Sequence, residues 1–197
     1  MGEFFKREVF RPFVTLFVPG GIAILPYVVQ LLFTFPDLSK FAQSNPGASL
    51  VVFLMFAIAA GLVIEDVGAR IEFEGWDRLL DRAKEGKRAQ GEHTMIWERY
   101  LQLTFPTDPV GQHYLRTVLI RLKFELGMIV AIPISWAGFL WLHLTIEMWT
   151  WIGFLVGSGI SLVVLIYLVY ESYGSAKTLG RVRSVLVAHY GEPPNGA

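Results

Sequence analysis

Apolar residues fall in four long blocks separated by charge. Residues 12–36 carry no charged side chain over 25 positions. The runs 48–64, 126–146 and 148–170 carry none over 17, 21 and 23. A helix needs ~20 apolar residues to cross a hydrocarbon core of ~30 Å. The pattern predicts an all-α integral membrane protein with four transmembrane helices. The first run is too long for a signal-peptide core, and no A-x-A-like site follows it, so it reads as a span.

The expected order along the chain is as follows. Residues 1–11 form an interfacial segment, 12–36 the first span and 37–47 an external loop. The second span is 48–64, and 65–125 is a helical module. The third span is 126–143, followed by a tight external turn at 144–147. The fourth span is 148–170, and 171–197 is a tail. The alternation in "EFFKREVF" suits a segment lying flat on the membrane surface. The closing "EPPNGA" reads as disordered.

Charge supplies the orientation. Of the 17 basic residues, 16 fall at the two ends or between the second and third spans, and only Lys40 lies in the other loops. The positive-inside rule puts the basic side in the cytoplasm, with both termini. Trp136, Trp141, Trp149 and Trp151 gather near the turn between the last two spans. Tyr167, Tyr170 and Tyr173 lie at the far end of the fourth. Amphipathic rings at both interfaces fit this placement.

The module 65–125 also carries helical periodicity. Ala69, Phe73, Trp76, Leu80 and Ala83 are spaced as one stripe, and Asp66, Arg70, Glu74 and Arg78 form a ladder of i,i+4 pairs on another face. A helix from Ala48 to Ala83 would be ~54 Å long, so ~24 Å would project past the core. A helix from Pro109 through the third span projects by about the same distance. The two extensions are expected to pair as a cytoplasmic stalk. A basic turn (84–93) and a short helix (94–105) would brace it. Asp108 and Pro109 supply an N-cap and first-turn signal.

Four features are candidates for chemistry or assembly. The first is a charged belt of Glu65, Glu72, Arg121 and Glu125 at matching depth near the membrane boundary. Arg121 is expected to bridge Glu125 and either Glu65 or Glu72. Ionisable residues facing a bundle interior at such depth mark functional sites, or they fix helix register as ion pairs. The second is "VPGGIAILP", where Pro19, Gly20, Gly21 and Pro26 interrupt helical hydrogen bonding. Such a break lines a pathway in some transporters and is a plain kink or packing face elsewhere. The third is a pair of small-residue faces, Gly153/Gly157/Ser161 and Ala57/Gly61, suited to close helix packing within the chain or between copies. The fourth is the set of histidines His93, His113, His143 and His189, which have no metal-ligand spacing.

The absence of cysteine removes disulfides and thiolate chemistry. A balanced formal charge points to no nucleic-acid partner. No P-loop, dinucleotide fingerprint or G-x-S-x-G occurs, so neither a catalytic residue nor a metal or cofactor is expected. The expectation is a non-enzymatic membrane module in the lipid bilayer, working as a homo-oligomer or docked on a protein partner. It would have a cytoplasmic sensing or docking stalk, and a pore or effector role would follow from assembly. The rivals are an interfacial enzyme acting on a lipid-linked substrate and a membrane scaffold.

Overall fold

A computed structural model describes residues 2–76, 79, 92–101, 103, 110–146 and 150–190, and, of these, the side chains of all but 2–12, 92–94, 97, 110 and 113. Among them, every regular element is helical. Helix α1 spans Gly2–Thr34, α2 Pro36–Ser44 and α3 Pro46–Arg70. A π-helical turn, Ile71–Trp76, continues α3. Helix α4 spans Glu92–Leu101, α5 Val110–Ile146 and α6 Trp151–Tyr190. Four of these (α1, α3, α5 and α6) contain stretches long and apolar enough to cross a membrane. The chain is therefore described as a multi-pass membrane protein.

Prolines set the boundaries near one end. Pro36 and Pro46 each open a helix, where the missing N–H costs nothing and φ is preset. The segment expected as a loop at 37–47 is thus mostly α2. No residue of α2 is buried, and Leu38 and Phe41 stand exposed on it.

Helix α1 packs against α3 and α5, and α5 against α6. Its "VPGG" stretch stays helical. Pro19 and Pro26 are fully buried. Their rings sit against two α5 glycines, Gly127 and Gly138. A Cβ on Gly127 would come within 3.1 Å of Pro19, and one on Gly138 within 2.6 Å of Pro26. Tyr27 adds a hydrogen bond, its hydroxyl donating to the Ile134 carbonyl at 3.0 Å.

The α5–α6 hairpin is fastened near its turn by aromatic contacts. His143 stacks on Phe154 at 5.0 Å and meets Trp151 edge-on at 4.4 Å. The Trp136 indole donates to Ser158 Oγ at 2.9 Å, and that hydroxyl donates to the Phe154 carbonyl at 2.8 Å. At the opposite, basic end a second cluster forms. Leu115, Val118, Leu122 and Leu126 of α5 pack on Ala176, Leu179 and Leu186 of α6. Ile71, Trp76 and Tyr100 close over it.

Two expectations about the extensions change here. The fourth helix does not end with its apolar run at 170 but continues unbroken to Tyr190. Among the described residues, the apolar face of the α5 extension is covered chiefly by α6. The pairing of the α3 and α5 extensions rests on 77–91, most of which lies outside the described residues, as do the Asp108–Pro109 cap and the "EPPNGA" tail.

The stripe on the α3 extension is also corrected. Ala69 and Phe73 are exposed; the buried line is Ala57, Gly61, Ile64 and Gly68. An uninterrupted α-helix repeats a face every seven residues and would set Gly75 below Gly68. The π turn contains one extra residue, so Trp76 takes that place. Its ring meets Tyr173 of α6 at 5.7 Å in an edge-on contact.

Candidate functional site

The charged belt lies where α3, α5 and α6 leave their most apolar stretches. One turn of α5 supplies its cations, Arg121 and Lys123. Glu125 is 4% exposed, although it is a carboxylate. Its Oε1 accepts from Arg121 Nε at 2.8 Å, the i,i+4 pairing expected on one helix. The same guanidinium pairs through Nη2 with Glu171 of α6. Arg121 therefore ties two helices through two carboxylates, using the fork that a guanidinium offers and an ammonium does not.

The second carboxylate of that bridge differs from the expected one. Glu65 is held by Lys123, whose Nζ lies 2.6 Å from Glu65 Oε1. Glu72 is half-buried on the π turn. The belt thus consists of two linked layers, Glu65–Lys123 between α3 and α5, and Glu125–Arg121–Glu171 between α5 and α6. Lys123 and Glu171 escaped the sequence reading. Depth matching extended to the end of the fourth span would have found Glu171, which stands at the same boundary. Lys123 sits two residues from Arg121, and so on another face of α5, turned toward α3 by packing that periodicity alone does not reveal.

The two layers differ in energy. Glu65 and Lys123 have side chains 35% and 44% exposed, so their pair should contribute at most ~1 kcal/mol. A double-mutant cycle with Glu65→Gln and Lys123→Met is expected to give coupling of about 0.5–1 kcal/mol. The matching cycle for Glu65 and Arg121 should give none. Equal coupling in both cycles would contradict this geometry.

Glu125 stands in a more demanding place. Its Oε2 is buried with no hydrogen-bond partner among the described residues. A buried carboxylate oxygen costs free energy unless it is compensated, so the Arg121 contact carries much of the burden. Ser172, next to Glu171 on α6, is fully buried. The Ser172 hydroxyl donates back to the Val169 carbonyl.

The other candidates separate clearly. Gly20 faces the backbone of Ala57 and Gly61, and Gly61 faces the backbone of Leu16. The Ala57/Gly61 face is therefore used within the chain, and the first-span glycine motif is its partner. Gly153 and Gly157 are exposed and Ser161 is half-buried, with no other described helix covering the stripe. A Cβ on Gly157 would meet nothing within 4 Å. His143 is buried in the aromatic cluster described above, and no group of three His, Asp or Glu among the described residues is arranged to hold a metal ion. Comparison with protein-family models, with curated proteins and with solved structures finds no match for this chain.

Proposed function

We propose that this chain is a non-enzymatic membrane module that couples a cytoplasmic helical stalk to its spans. The observation carrying this reading is the continuity of α5 and α6, which run 37 and 40 residues without interruption. Each is about twice the length a bilayer requires. A displacement at the basic end is passed along both helices rather than absorbed in a loop. The Arg121 bridge holds them together at the point where they enter the apolar layer.

In this reading the basic end is cytoplasmic, and the α3 extension joins the stalk beside α5. The chain acts as a homo-oligomer or docked on a membrane partner. The outward face of α6 offers the surface, with Ile152, Leu155, Val163, Ile166 and Tyr170 all strongly exposed. Only 6% of the apolar stretch of α6 is buried against the rest of the chain, compared with 28% for α1 and for α5.

The lack of native cysteine makes topology directly measurable. Single cysteines at Ser39 and at Lys177 should react with an impermeant maleimide from opposite sides of sealed vesicles. Labelling of both from one side would overturn the orientation. Native mass spectrometry in detergent and nanodiscs then tests assembly. A strictly monomeric chain in both would remove the self-assembling version and leave the partner-docked one.

A further inference from the structure

Helix α2 joins α1 to α3 at the membrane face opposite the charged belt. It carries 9 residues, none of them buried. Its joints to α1 and α3 are single residues, Phe35 and Asn45. Backbone hydrogen bonds run into both joints. The Phe35 N–H donates to the Leu31 carbonyl and the Asn45 N–H to the Phe41 carbonyl, each at 2.9 Å. Bonds on the far sides close them, from Ser39 N–H to the Phe35 carbonyl and from Ser49 N–H to the Asn45 carbonyl. A helix of this size is only ~14 Å long. Both its ends are tied to spans, and no slack is left to lift it off the bilayer.

The side chains of α2 divide three ways, because successive residues turn by roughly 100° about the axis. Ser39 and Ala42 share one side and are half-buried, so this side rests on the ends of α1 and α3. Asp37, Lys40 and Ser44 share a second. Asp37 and Lys40 pair there at 3.6 Å with their side chains almost fully exposed. Leu38 and Phe41 make the third side and are 44% and 50% exposed. A helix that leaves one span, runs along the bilayer and enters the next has three surroundings: its own protein, water and lipid. Helix α2 offers one side to each.

We propose that α2 is an interfacial strap that inserts Leu38 and Phe41 into the lipid leaflet opposite the belt. It binds lipid by apolar insertion and not by head-group charge, since Asp37 and Lys40 offset each other and are its only charged residues. A free helix this short would be marginal in water. Here the two spans hold its ends and supply the ordering. A protein partner or a second copy fits the apolar side less well, because two side chains fall far below the ~1,000 Å² of a stable protein interface. The strap requires only that α1 and α3 cross the membrane, so it stands apart from the coupling proposed above.

The lack of native cysteine allows single nitroxide labels through Leu38→Cys, Lys40→Cys, Phe41→Cys and Ser44→Cys in the full chain. All four positions are exposed, so the labels leave packing intact. The chain is held at one copy per phosphatidylcholine nanodisc. Oxygen collects in hydrocarbon and a nickel chelate stays in water, so the ratio of their collision rates with each nitroxide reports its depth. Labels replacing Leu38 and Phe41 should lie roughly 5–10 Å inside the head-group boundary, and those replacing Lys40 and Ser44 on its water side. Exchanging part of the lipid for phosphatidylglycerol, or adding salt, should leave all four depths unchanged. A preference for the nickel chelate at all four positions would overturn the proposal, and depths that follow the anionic lipid would overturn recognition without charge. Shielding of Leu38→Cys and Phe41→Cys from both reagents only when several copies share a disc would overturn it too, by giving the apolar side to a second copy.

Discussion

Gly20→Ala is expected to lower the thermal unfolding midpoint of the detergent-solubilised protein by roughly 10 °C, whereas Gly21→Ala next to it should be nearly neutral. The two glycines look equivalent in sequence. In the structure, a Cβ on Gly20 would overlap the Ala57 carbonyl oxygen and stand 2.6 Å from the Gly61 nitrogen. Both atoms are backbone, so no rotamer change relieves the clash, and α1 must separate from α3. Overpacking a close contact typically costs about 1–3 kcal/mol, and a clash against backbone belongs at the upper end of that range or beyond it. A Cβ on Gly21 would meet only Phe53 at 3.8 Å and Ala57 at 3.9 Å, which is ordinary van der Waals contact. Gly61→Ala should resemble Gly20→Ala, because its Cβ would overlap the Leu16 carbonyl. Gly157→Ala is the control in open space. Equal midpoints for Gly20→Ala and Gly21→Ala would show that α1 and α3 do not meet in this way. The effect on function follows through packing. Separation of α1 also withdraws Pro19 and Pro26 from their α5 glycines, so both long-range contacts of the first span are lost together.

The four spans were legible because membrane solvation demands a long uncharged run, and length alone reports it. Contacts between spans were less legible, because lipid is as apolar as a buried helix face. Phe73 shows this on the α3 extension: its spacing marks a stripe, yet it is 63% exposed. The extra residue of the π turn shifts the face there, and a hydrophobic period carries no sign of such an insertion. The glycines of "VPGG" were visible as unusual, but whether they break the helix or seat it on a neighbour depends on what stands opposite. The Ala57/Gly61 face was visible too, and only the fold joins the two motifs. In the belt, the i,i+4 relation made Arg121–Glu125 readable, since it is local to one helix. Glu65–Lys123 and Arg121–Glu171 span 58 and 50 residues and follow from helix rotation that no local pattern encodes.

Arg121→Ala is the second large effect expected, about 2–3 kcal/mol of destabilisation. Removing one partner of a buried ion pair commonly costs ~3–5 kcal/mol, because the remaining charge stays buried without compensation. Here the Arg121 side chain is 56% exposed and that of Glu125 only 6%, so the arginine gains less from the pair and the total is reduced accordingly. The asymmetry gives the test its direction. Loss of Arg121 strands a carboxylate whose Oε2 already has no hydrogen-bond partner among the described residues. Loss of the charge at Glu125 leaves a half-exposed guanidinium that still holds Glu171. Glu125→Gln alone should therefore cost less than Arg121→Ala. In the Arg121→Ala/Glu125→Gln double variant a neutral amide replaces the stranded charge, and at least half of the lost stability should return. Arg121→Lys should fall between, since one ammonium does not reproduce a fork reaching two helices. Urea or thermal unfolding in one detergent provides all four values. Strict additivity in the double variant, or a larger loss for Glu125→Gln than for Arg121→Ala, would show that Glu125 is not the constrained member. The rescued variant also separates the two meanings of the belt. It retains the fold without the Arg121–Glu125 charge pair, so any defect that persists in it belongs to the charges themselves, and any defect that disappears belonged to the α5–α6 register they maintain.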